Sequence, residues 1–466
     1  MRLVILFVTL LIYIVILNQI HVIRRRFFFM KKKLSILLTL TMVFSLLAAC
    51  STGGTTKESA DGVVTFDFWA APNPPQQAFW MEMAKEYEAV NPNVKINVSA
   101  IKESPSSEAS IQAAIAGGNA PAISENINRG FAAQLAKSQA LVPLNTLPQF
   151  NDIVSGRNMS NTIEPWEFAD GNQYVLPVYS NPMLFGWRID ILKELGYNEP
   201  PKTYSEVLDV AKKLKAKYPD KYVWGKGADL ADPTAWKRWF DFFMLYNAAS
   251  DGNKFIDGDQ FVGDEAAGVK VLEFVDNLRK ENGILAKTVT DPFETGLGIF
   301  TDIGPWTFNT WAEKFPELKY NETFTLSLPP VPDGMNPDEA KTFSDAKGLV
   351  IFSSVPKEQQ EAAAEFIKWV YSDAKNDAKW FERTNLPPAR DDLAELPEFK
   401  AIIENSPELE LYAKSVPLGI PAIDNAGYNE LQTLIGQEAF NKVVLGQIDP
   451  QTAWDNMKKA IEGELQ

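Results

Sequence analysis

The chain has 466 residues, with 45 basic and 60 acidic side chains, a net charge of −15, one histidine and one cysteine. His21 and Cys50 both lie near the N-terminus, so the rest of the chain cannot form a Ser-His-Asp triad, a Cys-His nucleophile or a usual zinc site. Intrachain disulfides are excluded, and the lack of a long basic tract argues against nucleic acid as a partner. Carboxylate chemistry and binding remain.

Residues 1–29 form an apolar segment that ends in RRRFFF, directly before Met30. Three arginines followed by three phenylalanines would arise if a purine-rich ribosome-binding site and its spacer were read as codons. We therefore interpret residues 1–29 as an upstream extension that is not translated. The alternative is a genuine additional membrane helix, and mass spectrometry of the precursor distinguishes the two.

Residues 30–49 are typical of a lipoprotein signal peptide. A basic start at residues 31–33 precedes an apolar run that closes on small residues. The sequence LAAC, ending at Cys50, resembles the lipobox of bacterial lipoproteins. That resemblance implies cleavage before Cys50 and attachment of diacylglycerol to its thiol, and two acyl chains suffice for stable anchoring. The alternative is a transmembrane helix with an incidental cysteine.

Removal of residues 1–49 makes the remaining chain more acidic. This segment carries seven of the 45 basic residues and no acidic residue, which leaves 38 basic against 60 acidic residues and a net charge of −22. Such a charge is typical of a soluble body held near an anionic surface without adsorbing to it. The small, polar segment 50–61 predicts a flexible tether, and no later apolar run approaches the length of a membrane span.

Strand and helix patterns alternate after the tether. Residues 63–69 predict a β-strand, and the next helix repeats Phe79, Met83 and Tyr87 at a spacing of four. Alternating apolar residues over 94–98 predict a second strand. The pattern therefore begins as a β-α-β unit.

The same alternation continues along the chain. Thr203 and Glu206 form the sequence pattern of a capping box, which predicts a helix start. Residues 356–371 predict a late helix with one apolar face. Repeated β-α units indicate an α/β fold with a largely parallel sheet, and ligands of such sheets bind at the carboxyl ends of the strands.

Five motifs then identify a family resemblance. They are YVLPVYSNPMLFGWRIDILKELGYNEPPKTYSEVLDVAKKL from Tyr174, IFTDIGPWTFNTW from Ile299, LSLPPVPDG from Leu326, AAAEFIKWVYS, and LPPARDDL from Leu386. In this order they resemble the extracellular solute-binding proteins of ABC importers, in the branch of maltose-binding protein and other oligosaccharide binders. One departure is Ala122, where the family often has an aspartate.

The resemblance implies a periplasmic-binding-protein-like clamp of two discontinuous α/β lobes joined by hinge strands. The first lobe would take residues 62–175 and 346–383, and the second residues 178–343 and 390–466. Closure on a solute would present a new surface to a membrane permease. We expect a monomeric binding protein at the outer face of the bacterial membrane, with no catalytic residue, cofactor or metal.

Sugar rings have flat apolar faces edged with hydroxyls, so aromatic side chains and planar polar groups recognise them. All 12 tryptophans follow Cys50, but a tryptophan is by default a core residue and position must decide. Trp306 matches the family tryptophan that stacks on sugar. The other predicted ligand contacts are Trp69, Asn73, Glu125, Asn126, Arg129, Tyr179, Trp236, Asp424, Asn425 and Tyr428. We expect Trp239 to pack in the core with Phe242 and Phe243.

Other functions stay open at this point. The same fold could bind a polyol, a glycerophosphodiester or a peptide, although the negative charge argues against an anionic ligand. A glycoside hydrolase would use two carboxylates, and among 60 acidic residues such a pair can always be found. A structural surface lipoprotein is a further alternative. The number of candidate tryptophans favours two or more sugar units over a monosaccharide.

Overall fold

The computed structural model describes residues 62–104, 106–234 and 236–466, apart from the side chain of Asn309. The predicted upstream extension, signal peptide, lipidated Cys50 and tether lie outside this range. Within it, no helix combines the length and the apolar character needed to cross a membrane.

Twelve strands occur among the described residues. They are β1 Val64–Ala70, β2 Val94–Ala100, β3 Ile123–Ile127, β4 Leu176–Pro182, β5 Leu184–Trp187, β6 Tyr222–Trp224, β7 Ile256–Asp257, β8 Gln260–Phe261, β9 Gly298–Ile303, β10 Thr325–Ser327, β11 Thr342–Ile351 and β12 Gly419–Ile420.

The α-helices of the described chain surround these strands. They are α1 Pro74–Val90, α2 Ser107–Ala116, α3 Arg129–Lys137, α4 Phe150–Gly156, α5 Ser160–Ile163, α6 Ile189–Glu194, α7 Tyr204–Lys217, α8 Phe242–Ala249, α9 Glu265–Lys280, α10 Thr307–Lys314, α11 Lys357–Tyr371, α12 Ala374–Thr384, α13 Pro397–Asn405, α14 Leu409–Ser415, α15 Tyr428–Ile435, α16 Asn441–Val444 and α17 Pro450–Glu464.

Local sequence signals account for several of these boundaries. Thr203 and Glu206 make both hydrogen bonds of the capping box at the start of α7. Phe79, Met83 and Tyr87 lie on the buried face of α1. These elements form where the sequence predicts them.

The strands form two larger sheets. In the first, β2, β1 and β3 are parallel, β11 runs antiparallel to β3, and β4 and β12 pair with β11. The second has the order β10-β5-β9-β6. Two of its three pairings, β10 with β5 and β5 with β9, are antiparallel. The prediction of a largely parallel sheet is therefore wrong for the second sheet, because β5 enters it directly from β4 without a crossover helix.

Strands β4 and β11 connect the two sheets, and we call this pair the connecting ribbon. They run antiparallel from the pairing of Ser344 with Pro182 to that of Leu349 with Leu176. Phe343 packs in the apolar cluster around the second sheet, whereas Leu349 packs in the cluster around the first. The chain therefore passes from one core to the other along the ribbon.

Candidate functional site

The carboxyl ends of parallel strands meet at two places in the structure. In the first sheet Trp69 of β1 pairs with Ser124 of β3, and in the second sheet Trp224 of β6 pairs with Phe300 of β9. The last residue of β9 pairs with Leu184, which follows β4 in the chain after one residue. The ribbon therefore runs beside the end of β9, where an α/β sheet places its ligands.

Trp306 lies just beyond the end of β9 and directly precedes α10. Its side chain is 46% exposed, which is unusual for so large an apolar group. The indole lies over Gly304 so closely that a Cβ there would overlap the ring. Because Gly304 has no side chain, the partly exposed indole of Trp306 can lie against it at the end of β9.

Trp236 has the second exposed indole of the predicted set, at 51%. Its backbone is left-handed, with φ of 72°, a conformation that bulky residues rarely adopt. Trp239 instead packs inward, 4.6 Å from the ring of Phe243 and stacked 5.0 Å from Phe343. The prediction that Trp239 is a core residue is confirmed.

The predicted contacts Trp69 in β1, Asn73 in the loop after it and Asn126 in β3 differ in exposure. Trp69 is half-buried and packs against the first apolar cluster. Asn73 is exposed, and its side chain caps α1 by accepting from the backbone N–H of Gln76 at 3.4 Å. Asn126 is half-buried, with a left-handed φ of 66°. Trp69 and Asn126 keep part of their surface free.

Glu125 is fully buried in the middle of β3. Its carboxylate accepts from the backbone N–H of Ala71 at 2.8 Å and from Nε2 of Gln76 at 2.9 Å. Burial raises the pKa of this carboxyl to about 7, although both hydrogen bonds and the charge of Lys347 lower it. Glu125 therefore ties the loop after β1 and the start of α1 to β3.

Arg129 and Asp424 form a buried ion pair with an N–O distance of 3.3 Å. Arg129 also donates to the backbone carbonyls of Ala422 at 3.3 Å and Glu167 at 2.5 Å, and Asp424 accepts from the N–H of Ala169 at 3.0 Å. Burial lowers the pKa of the guanidinium, and the charge of Asp424 opposes this. These contacts join α3 to the segment before α15.

Asn425 and Tyr428 make further contacts in this region. The amide of Asn425 is buried and donates to the carbonyl of Gly258 at 2.7 Å. Tyr428 donates from its hydroxyl to Glu108 at 3.2 Å, and its ring lies against Gly130, where a Cβ would overlap it. Both side chains therefore link the late segment to distant parts of the chain.

Tyr179 lies on the connecting ribbon and is 5% exposed. Its ring stacks on Trp380 with centroids 6.1 Å apart, and burial together with the charge of Asp345 raises the pKa of its hydroxyl well above the usual value. Core residues thus cover most of the ring of Tyr179.

Sequence reasoning missed three polar residues of the ribbon, Asn181, Asp345 and Lys347. Asn181 pairs with Asp345 across the two strands, and Tyr179 pairs with Lys347. The available signal was the sequence SDAKGLVIF, in which Asp345 and Lys347 stand at alternate positions and the other residues are apolar or small.

A cavity of about 550 Å³ lies near the start of β11. It shares only Arg129 with the predicted contacts. Other residues around it include Phe243, Asn247, Lys341, Phe343, Ile420 and Ile423. The exposed indoles and this cavity are therefore separate features.

The strand ends of the two sheets offer flat aromatic surfaces and hydrogen-bonding groups. In the described chain no group of three or more acidic, histidine or cysteine side chains converges as a metal site would require. The arrangement suits non-covalent recognition of a polar ligand with apolar faces.

The chain matches a known protein family and is similar to solved structures. Residues 82–409 match the family model described as bacterial extracellular solute-binding protein. The crystal structure of an uncharacterised protein from Listeria monocytogenes EGD-e is similar, with 57% identity, a TM-score of 0.85, and coverage of 86% of this chain and 100% of that one.

Two more distant structures share the two-lobed fold at 19% identity. The cyclic α-maltosyl-1,6-maltose binding protein of Arthrobacter globiformis has a TM-score of 0.73, covering 87% of this chain and 99% of that one. The sugar-binding protein MalE of Xanthomonas citri has a TM-score of 0.68, covering 86% and 97%.

Proposed function

Because the chain belongs to the family of bacterial extracellular solute-binding proteins, we propose that it captures an oligosaccharide and delivers it to the permease of an ABC importer. The exposed indole of Trp306, held over Gly304 at the end of β9, carries the proposal. A flat aromatic surface at a strand end is what a sugar ring needs for stacking. The relatives from Arthrobacter globiformis and Xanthomonas citri, named as a maltosyl-maltose binder and a sugar binder, support the same ligand class.

The clamp would consist of the two sheets and their apolar clusters. In this proposal residues 62–175 and 346–383 form one lobe, and residues 178–343 and 390–466 form the other. The ligand would lie between Trp69 and Asn126 on one side and Trp236 and Trp306 on the other. A monomer suffices for this mode of binding.

Thermal-shift screening of the purified protein against mono- and oligosaccharides tests the ligand class. A ligand that binds only the folded state raises its stability by RT ln(1 + [L]/Kd). We expect neutral oligosaccharides of two or more units to raise the melting temperature. A response to monosaccharides, polyols or glycerophosphodiesters alone would refute the oligosaccharide assignment.

A binding protein should release its sugar unchanged. The protein incubated with each oligosaccharide that it binds should therefore generate no new reducing ends. Sustained turnover would identify a carboxylate-based glycoside hydrolase instead.

We further propose that a lipid on Cys50 anchors the mature protein to the outer face of the bacterial membrane. The LAAC sequence and the apolar run before it support this proposal. The tether at residues 51–61 would let the body reach the permease.

A further inference from the structure

One face of the connecting ribbon carries a row of polar side chains. Lys347 lies directly opposite Tyr179, and Asp345 lies directly opposite Asn181. Side chains at opposed positions of an antiparallel pair point to the same face, as do alternate residues of one strand. Phe343 continues this row toward the second sheet.

Three of these side chains lack partners. In the described part of the chain, Asp345 and Lys347 make no side-chain hydrogen bond and no ion pair within 4.0 Å, and both are half-buried. Asn181 is only 1% exposed, and its Oδ1 has no hydrogen-bond partner. Polar groups that lose water on folding without gaining a partner destabilise the folded protein, so three adjacent ones require an explanation.

The row lies beside the predicted ligand contacts. Lys347 acts electrostatically on Glu125 in β3, and both Glu125 and Asp345 raise the pKa of Tyr179. At the other end, Phe343 stacks on Trp239, three residues after the exposed Trp236. The unpartnered groups therefore lie between the strand ends of the two sheets.

We infer that Asn181, Asp345 and Lys347 bind the ligand directly, through hydroxyl groups of an uncharged sugar unit seated on the connecting ribbon. A hydroxyl can donate to the carboxylate of Asp345 and accept from the ammonium of Lys347, so neighbouring hydroxyls satisfy both. This inference rests on the proposed function and adds recognition by the ribbon itself.

Asp345 and Lys347 sum to zero charge. An ionic group on the sugar would be attracted by one of them and repelled by the other, so the row gives an ionised sugar no net electrostatic advantage over a neutral one.

Three substitutions test the inference: Asp345→Asn, Lys347→Met and Asn181→Ala. Isothermal titration would measure their affinity for the neutral oligosaccharide that stabilises the wild type most in a panel including maltotriose and cellotriose. We expect each charge substitution to weaken binding roughly ten- to hundredfold, as for a lost hydrogen bond to a charged group. The exposed Asp220→Asn and Lys459→Met are the matched controls and should bind as the wild type does.

Deoxy analogues of the sugar make the test independent of any folding defect. Removal of the hydroxyl that contacts Lys347 should weaken wild-type binding but leave the affinity of Lys347→Met nearly unchanged. Equal losses in both proteins for every deoxy position would overturn the inference.

The remaining outcomes separate the two proposals. Wild-type binding that all three variants retain would overturn the role of the ribbon and leave the proposed function standing. Binding of oligogalacturonate far more tightly than of any neutral oligosaccharide would overturn the assignment of an uncharged sugar unit. A wild type that binds no sugar in the panel would overturn both proposals.

Discussion

The indole of Trp306 occupies the space that a side chain on Gly304 would need. The lack of a side chain on Gly304 therefore determines where the exposed ring of Trp306 lies. The IGPW motif combines this glycine with Pro305, whose ring restricts the backbone between the two residues. Recognition by Trp306 depends on its neighbours as well as on its own ring.

The first prediction concerns this pair. Gly304→Ala should displace the indole and weaken sugar binding about tenfold or more, as Trp306→Ala should, because burying a large apolar side chain contributes ~1.5–3 kcal/mol. Titration calorimetry measures the affinities, and tryptophan fluorescence reports the displaced ring. Trp306→Phe should retain part of the affinity. A Gly304→Ala protein with wild-type affinity would show that the close approach is unimportant.

The second prediction concerns the ion pair of Arg129 and Asp424. Asp424→Ala should destabilise the protein by roughly 3–5 kcal/mol, since it leaves a buried guanidinium without its partner. Urea denaturation measures the change. Lys137→Met breaks the exposed pair of Lys137 and Asp259 and should cost less than about 1 kcal/mol. Similar losses in both variants would contradict the assigned burial.

The third prediction is a pH dependence from Glu125. Its pKa rises from 4.5 to about 7 in the folded state, so folding favours the protonated form. The stabilising effect of protonation is complete below pH 4.5 and is lost as the pH rises toward 7, at a cost of about 3 kcal/mol. Glu125→Gln should remove this loss.

Urea denaturation of wild type and Glu125→Gln at several pH values between 4.5 and 8 tests it. The stability of the variant relative to wild type should increase with pH over this range. The amide also alters the hydrogen bonds with Ala71 and Gln76, but that cost does not vary with pH. A constant difference between the two proteins would mean that Glu125 titrates normally.

The fourth prediction concerns the contact of Gly130 with Tyr428. Gly130→Ala forces a methyl group into the ring and should destabilise the protein by about 1–3 kcal/mol. Adding Tyr428→Ala should recover much of this loss, because it removes the ring. Thermal denaturation of both single variants and the double variant gives the coupling. Additive effects would rule out the contact.

The fifth prediction concerns the anchor. Cys50→Ser removes the only thiol, so the protein should accumulate as an unlipidated form that partitions into the aqueous phase of a detergent extraction. The wild type should partition into the detergent phase and gain the mass of a diacylglycerol. An unmodified Cys50 in the mature wild type would exclude lipid anchoring.

Short-range features of this fold follow from the sequence. The capping box at Thr203 and Glu206 and the spacing of Phe79, Met83 and Tyr87 depend on contacts within one turn or one helix face. Such contacts need no knowledge of the rest of the chain.

The parts that could not be predicted are non-local. Arg129 and Asp424 are 295 positions apart in sequence, and each alone looks like an ordinary surface charge. Asp345 and Lys347 become informative only once their register with Asn181 and Tyr179 shows that they share a face without partners. The inward packing of Trp239 likewise depends on Phe343, which is distant in sequence.

The order of strands in the first sheet also constrains when it can form during synthesis. Its centre pairs β3, near residue 125, with β11, near residue 350. The N-terminal strands emerge from the ribosome long before β11 exists, and they cannot complete their sheet in the meantime. The first sheet therefore stays incomplete until the chain has been made to about residue 350, and an export channel requires a chain whose sheets have not closed.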